Sequence, residues 1–187
     1  MDQLVFQHLQ NHIEITMTLG ENCAEKIAEA TEKVTQALLS GQSIYSCGFG
    51  ETALLSELFV HYLSCGYQIE RPGFPAIDLG CLTTNKHNSE SLSDPLHIHG
   101  QNGDILVVFS TGNNNPLLKN AIDAAVEKRL LVLLISATDD GLLAEGLGPQ
   151  DIEINCADFS NQSLSAVYFL IIQCLCTLID NKIFGGN

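Results

Sequence analysis

Apolar and polar positions along the chain change rhythm once, near residue 43. Through 2–19, Leu4, Val5, Leu9, Ile13, Ile15 and Met17 recur at roughly helical spacing. Through 22–39, Ile27, Ala28, Val34, Ala37, Leu38 and Leu39 do the same. Gly20 and Gly41 follow these stretches as stop signals, so the pattern predicts two leading helices. From 43 onward short continuous apolar runs take over: 43–47 (SIYSC), 75–79 (PAIDL), 104–109 (DILVVF), 130–136 (LLVLLIS) and 151–155. Helical stretches at about 52–65, 116–128, 140–145 and 162–180 separate them, and the last is apolar nearly all round, as a helix buried on most sides must be. Strands of this kind alternating with helices predict an α/β fold, a five-stranded parallel sheet covered on both faces in three α-β-α layers. Residues 80–102 are polar and carry neither period, so an irregular loop is expected there.

At 187 residues the chain has the length of one domain, 1–187, divided into an N-terminal helical pair (1–41) and an α/β core (42–187). The charge balance narrows the partners. Eight Lys and Arg against 22 Asp and Glu give a net charge of −14. That excludes the basic footprint that direct nucleic-acid binding needs and disfavours an anionic membrane surface. Charged residues make up only 16% of the chain. Spread over the roughly 8,800 Å² a monomer of this mass exposes, they leave much surface uncharged, which predicts an oligomer. No uninterrupted apolar run reaches the length of a membrane span. Seven cysteines, an odd number without a CxxC pair and with no secretory signal ahead of them, predict reduced, buried thiols in a cytoplasmic protein. Cys174 and Cys176, two apart on a helix, point to different faces.

In parallel sheets ligands bind at the carboxyl ends of the strands. Two loops fall there. Ser110, Thr111, Asn114 and Asn115 precede a helix that begins with Pro116, a set of dipoles that suits an anion, although Asn and Ser are ordinary in a helix cap and turn. Gly48, Gly50, Glu51 and Thr52 form the other, in which Glu51 places negative charge where a phosphate would want none. His87, His97 and His99 lie in the irregular region. His97-x-His99 would need a further ligand and ordered support, and in this loop-like stretch only Asp94 and Glu90 are nearby carboxylates, so no metal site is assigned. No cofactor is expected.

Five segments stand in an order that resembles a known family: CGFGETA at 47–53, ERPGFPAI at 70–77, GDILVVFSTGNN at 103–114, GLGPQDIEI at 146–154 and CLCTLIDNKIF at 174–184. They are similar to the sugar isomerase (SIS) domains of the phosphoheptose isomerase branch, and within it to the DnaA initiator-associating group. The resemblance implies a flavodoxin-like SIS fold with two leading helices, a homotetramer, and the replication initiator DnaA as partner. The departures bear on activity. Phe49, Glu51 and Thr52 replace the family's usual loop residues, the glycine of the second loop is displaced to Gly112, and the segment after PAI is shorter than usual. The isomerase relies on a Glu and a His, and these positions fall on Tyr62 and Tyr168. Gln and Glu beside that His become Ser165 and Ala166. A tyrosine near its ordinary pKa of about 10 is a poor base at neutral pH. Glu51, Glu57, His61 and Tyr168 are the only obvious replacements for an acid–base pair.

Three readings follow: a non-catalytic tetrameric scaffold for DnaA, an isomerase acting on sedoheptulose 7-phosphate, or a sugar-phosphate sensor without turnover. For the first, Ile183 and Phe184 attract attention. They are apolar residues past the expected helix stop, and form either a partner-binding patch or a fold-back contact. The tetramer is expected to use the leading helices and the helix bearing Leu54, Leu55, Leu58 and Phe59.

Overall fold

Alternation of side chains along the strands sorts the helices into two layers. A computed structural model describes residues 1–82 and 91–185. Five strands, β1 (Ile44–Gly48), β2 (Ala76–Asp78), β3 (Ile105–Phe109), β4 (Leu131–Ser136) and β5 (Ile152–Asn155), pair in parallel in the order β2-β1-β3-β4-β5. Ile44, Ile105, Val107, Phe109, Leu133, Ile135 and Ile154 point to one face. There they meet α1 (Asp2–Leu39), α2 (Glu51–Cys65) and α7 (Leu164–Phe184). Tyr45, Cys47, Leu106, Val108, Val132 and Leu134 point to the other, against α3 (Leu79–Leu82), α4 (Asp94–His99), α5 (Pro116–Glu127) and α6 (Gly141–Ala144). The expected three-layer α/β fold is present, with its register running Ile44 to Ile105 to Leu131.

The leading helices are corrected to one. α1 runs unbroken for 38 residues through Gly20. A mid-helix glycine costs only about 1 kcal/mol relative to alanine, and Leu19, Cys23, Ile27, Ala30 and Val34 keep the helical period across it, all buried. The half before Leu19 is different: Leu4, Val5, Phe6, Leu9, Ile13 and Met17 are each more than half exposed. The loop expected over 80–102 contains α4, which follows Ser93 and carries Pro95 in its first turn, where proline fits. His87 lies outside the described residues. α7 extends four residues beyond the expected end, to Phe184. It is long and apolar enough to cross a bilayer, contrary to the reading of the runs, but Leu164, Val167, Ile171, Leu175 and Ile179 are buried in the core beside α1 and α2.

Of the seven free cysteines, Cys23, Cys47, Cys156 and Cys176 are buried, while Cys65, Cys81 and Cys174 are exposed, so the expectation of buried thiols holds for four. Cys174 and Cys176 do face opposite ways. Burial, with the Asp180 charge adding, pushes the Cys176 thiol up to about 12.

Candidate functional site

The loop after β1 is shaped by close backbone approach. A Cβ at Gly48 would run into the Thr52 carbonyl, and Gly50 holds a φ of +64°. Thr52, 1% exposed, turns inward: its hydroxyl accepts from the Phe49 N–H (2.9 Å) and lies 2.9 Å from the Phe109 carbonyl. It ties this loop to the end of β3 and offers nothing outward. Glu51 is exposed at the start of α2, with the Ser165 hydroxyl 3.4 Å away.

The loop after β3 is organised by a residue the sequence reading missed, Asp140. Its buried carboxylate accepts from the Ser110 hydroxyl (2.7 Å), the Gly112 N–H (3.1 Å) and the Ala137 N–H (2.9 Å). Ser110 and the Gly112 N–H, two donors an anion would use, are thus held by an internal anion. Asn114 accepts from the Leu142 N–H (2.8 Å), and Asn115 caps α5 by accepting from the Leu117 N–H (2.9 Å). Asn113 and Asn114 sit at φ +71° and +46°, a region asparagine tolerates better than most residues.

Of the eight residues expected to bind a ligand, Thr111 alone lines the polar cavity at this edge, about 300 Å³, with Gly112, Asn113, Thr138, Asp139, Phe159, Ser160 and Asn161. Its remaining walls come from the loops after β4 and β5. A Ser-Asn-Gln run such as 160–162 was the only sequence signal for them. Among the described residues the lining contains Asp139 and no Lys or Arg.

Tyr168 is fully buried and donates its hydroxyl proton to the Ser110 carbonyl. Desolvation, with the Cys156 and Asp140 charges adding, pushes it well above the ordinary tyrosine range, so it holds its proton. Tyr62 is half-buried with its ring 4.6 Å from that of Tyr67. Glu57 and His61 line a separate groove, beside Asp78 and Cys81. His97 and His99 are exposed in the last turn of α4.

At the end of α7, Ile183 is half-buried against the core. Phe184 is 45% exposed and stacks on Phe74 (6.0 Å, 25°), over which the Arg71 guanidinium lies at 4.0 Å. Arg71 in turn pairs with Asp180 at 2.6 Å, both side chains buried. Ile183 therefore folds back onto its own chain, whereas Phe184 keeps an open face.

The family model for the SIS domain matches residues 7–136. A DnaA initiator-associating protein DiaA from Photorhabdus laumondii is 31% identical over 179 residues, covering 92% of this chain and 91% of its own. The protein of that name from Escherichia coli O1:K1 is 30% identical over the same length and shares. Among solved structures, a phosphoheptose isomerase from Francisella tularensis superposes with a TM-score of 0.85 at 22% identity, covering 96% of this chain and 97% of its own. Phosphoheptose isomerase GmhA from Neisseria gonorrhoeae gives 0.84 at 22%, covering 96% and 98%. The isomerases thus share the fold.

Proposed function

This chain belongs to the SIS domain family, and we propose that within it the chain is a non-catalytic, cytoplasmic scaffold that holds the replication initiator DnaA. The observation that carries the partner is the likeness, over nine-tenths of the chain, to proteins named for DnaA association. Loss of turnover is supported by the site. Tyr62 and Tyr168 stand at the acid–base positions that the family resemblance implies, Tyr168 is locked on the Ser110 carbonyl, and Asp140 engages the donors a phosphate would need. The isomerase and sensor readings both require sugar-phosphate binding in a cavity whose fixed charge is negative.

The same reading takes the chain as one SIS domain that assembles as a homotetramer. Its support is the apolar stripe on the N-terminal half of α1, with Leu54 of α2, 70% exposed, as a further apolar contact. Phe59 is excluded from that interface, being fully buried within its own chain. The partner-binding residue is Phe184, with Ile183 beneath it as support. An aromatic side chain half open on a rigid helix end is a low-entropy anchor, and repetition in an oligomer lets weak single contacts add.

The test is Phe184→Ala against immobilised DnaA from the same cell, beside a sedoheptulose 7-phosphate assay. The variant is expected to keep its helical content and lose DnaA affinity by at least about tenfold, the scale of an interface hot spot. Neither protein should turn over the sugar phosphate. Unchanged DnaA binding in the variant would remove Phe184 from the interface. Robust wild-type turnover would overturn the non-catalytic reading.

A further inference from the structure

β2 is an edge strand, and beyond it α2 and α3 line an open groove of about 390 Å³. The proposed function makes no use of it. Three donors converge there, two carboxylates and a thiol. The carboxylate oxygens of Glu57 and Asp78 and the Cys81 sulfur all lie within 4.8 Å of one another, and this is the only such cluster among the described residues. Glu57 comes from the middle of α2, Asp78 from the end of β2 and Cys81 from α3, so the fold itself assembles the group.

The surroundings orient these donors. Asp78, 7% exposed, accepts from the Ser56 hydroxyl, which is bonded to the Ser46 hydroxyl at 2.8 Å; both serines are buried. The other Asp78 oxygen accepts from the Cys81 N–H at 3.1 Å, which fixes the start of the cysteine side chain beside the carboxylate. Position 80 is glycine where a Cβ would come within 2.9 Å of that same oxygen. Such outer hydrogen bonds are what hold metal ligands in place. His61, one turn along α2 from Glu57, lines the same groove. Among the described residues the groove wall holds no Lys or Arg to offset the two carboxylates. Desolvation, with the Asp78 and Glu57 charges adding, accordingly raises the Cys81 thiol above its ordinary range.

We propose that Glu57, Asp78 and Cys81 form a binding site for a divalent cation of the zinc class. A thiolate beside two carboxylates favours zinc over magnesium or calcium, which take oxygen ligands. The Cys81 proton leaves to solvent as the sulfur binds. Three protein ligands leave a fourth position, for His61 or water.

The experiment uses the full chain, reduced and freed of metal by chelation, titrated with Co²⁺ and then with Zn²⁺. The proposal expects one Co²⁺ per chain, with a near-ultraviolet thiolate-to-cobalt charge-transfer band that Zn²⁺ abolishes. Cys81→Ser should remove the band. Glu57→Gln, an exposed change that leaves the fold intact, should weaken binding by at least about tenfold. Cys174→Ser should retain both. Absence of the band at one equivalent, its survival in Cys81→Ser, or undiminished affinity in Glu57→Gln would overturn the site.

Discussion

Removing Arg71 should damage this chain more than any exposed substitution, and its effect should reach the proposed DnaA surface. The guanidinium is 1% exposed. Its Nε donates to Asp180 at 2.6 Å, one terminal nitrogen to the Leu63 (2.8 Å) and Pro72 (3.1 Å) carbonyls, and the other to the Tyr62 carbonyl at 3.0 Å. The second Asp180 oxygen has no hydrogen-bond partner. Arg71→Met would leave Asp180 buried and unpaired and take one donor from each of three carbonyls, of which Leu63 and Tyr62 keep the backbone N–H groups of Phe74 and Gly66. Breaking a buried ion pair from one side costs about 3–5 kcal/mol. At roughly 2–4 °C per kcal/mol for a chain of this size, Tm should fall by about 6–20 °C. Arg71→Lys should recover only part, since an ammonium cannot reproduce the planar fork. The pair Arg71→Met with Asp180→Leu should recover most of the loss, because an apolar pair leaves no buried charge. Urea unfolding at fixed protein concentration, needed because assembly adds to apparent stability, gives the ledger. Loss of the stack of Arg71 on Phe74 should also loosen Phe184 and weaken DnaA binding. A loss below about 1 kcal/mol in Arg71→Met, or a double variant no better than the singles, would refute the reasoning.

The exposed stripe on α1 makes Leu9→Glu with Ile13→Glu a change that should spare the fold and break assembly; sedimentation velocity should show a smaller species with unaltered circular dichroism. Alkaline pH should destabilise the chain. Above the ordinary thiol value of 9.0 the unfolded Cys176 releases its proton, while the folded one, at about 12, keeps it. The unfolded state then binds fewer protons, so stability is fully present below about pH 9 and falls toward pH 12, by up to about 1.4 kcal/mol per pH unit for this thiol. Urea midpoints from neutral pH upward check the sign, and Cys176→Ala should flatten the slope.

What the sequence made legible follows from the range of the interactions concerned. β3 and the first five residues of β4 are continuous apolar runs because both faces of the sheet are covered, and the chain carries that information locally. Gly20 misled because a local stop signal was outweighed by a period sustained on both sides of it. α4 carried its own start signal, Ser93-Asp94-Pro95, but its polar body hid it. The candidate site was less readable. Asp140 meets Ser110 across 30 positions and Arg71 meets Asp180 across 109, pairings that exist only once the strands are in order. Thr52 and Asn115 were expected to face a ligand. Both residue types serve equally well as caps and turn anchors, and here they do. Cys81 and Asp78 were three apart in plain view, but Glu57 joins them only through the packing of α2 on β2.

If this chain is an assembled, non-catalytic holder of DnaA, assembly and DnaA binding must appear together in solution. Sedimentation velocity of the full chain mixed with DnaA from the same cell reads assembly, binding and stoichiometry in one experiment. The free protein is expected to sediment as a tetramer, and increasing DnaA to convert it to heavier species carrying more than one DnaA per assembly. A free protein that stays monomeric at micromolar concentration, or a DnaA boundary unmoved by a molar excess of it, would show that the chain is no such holder.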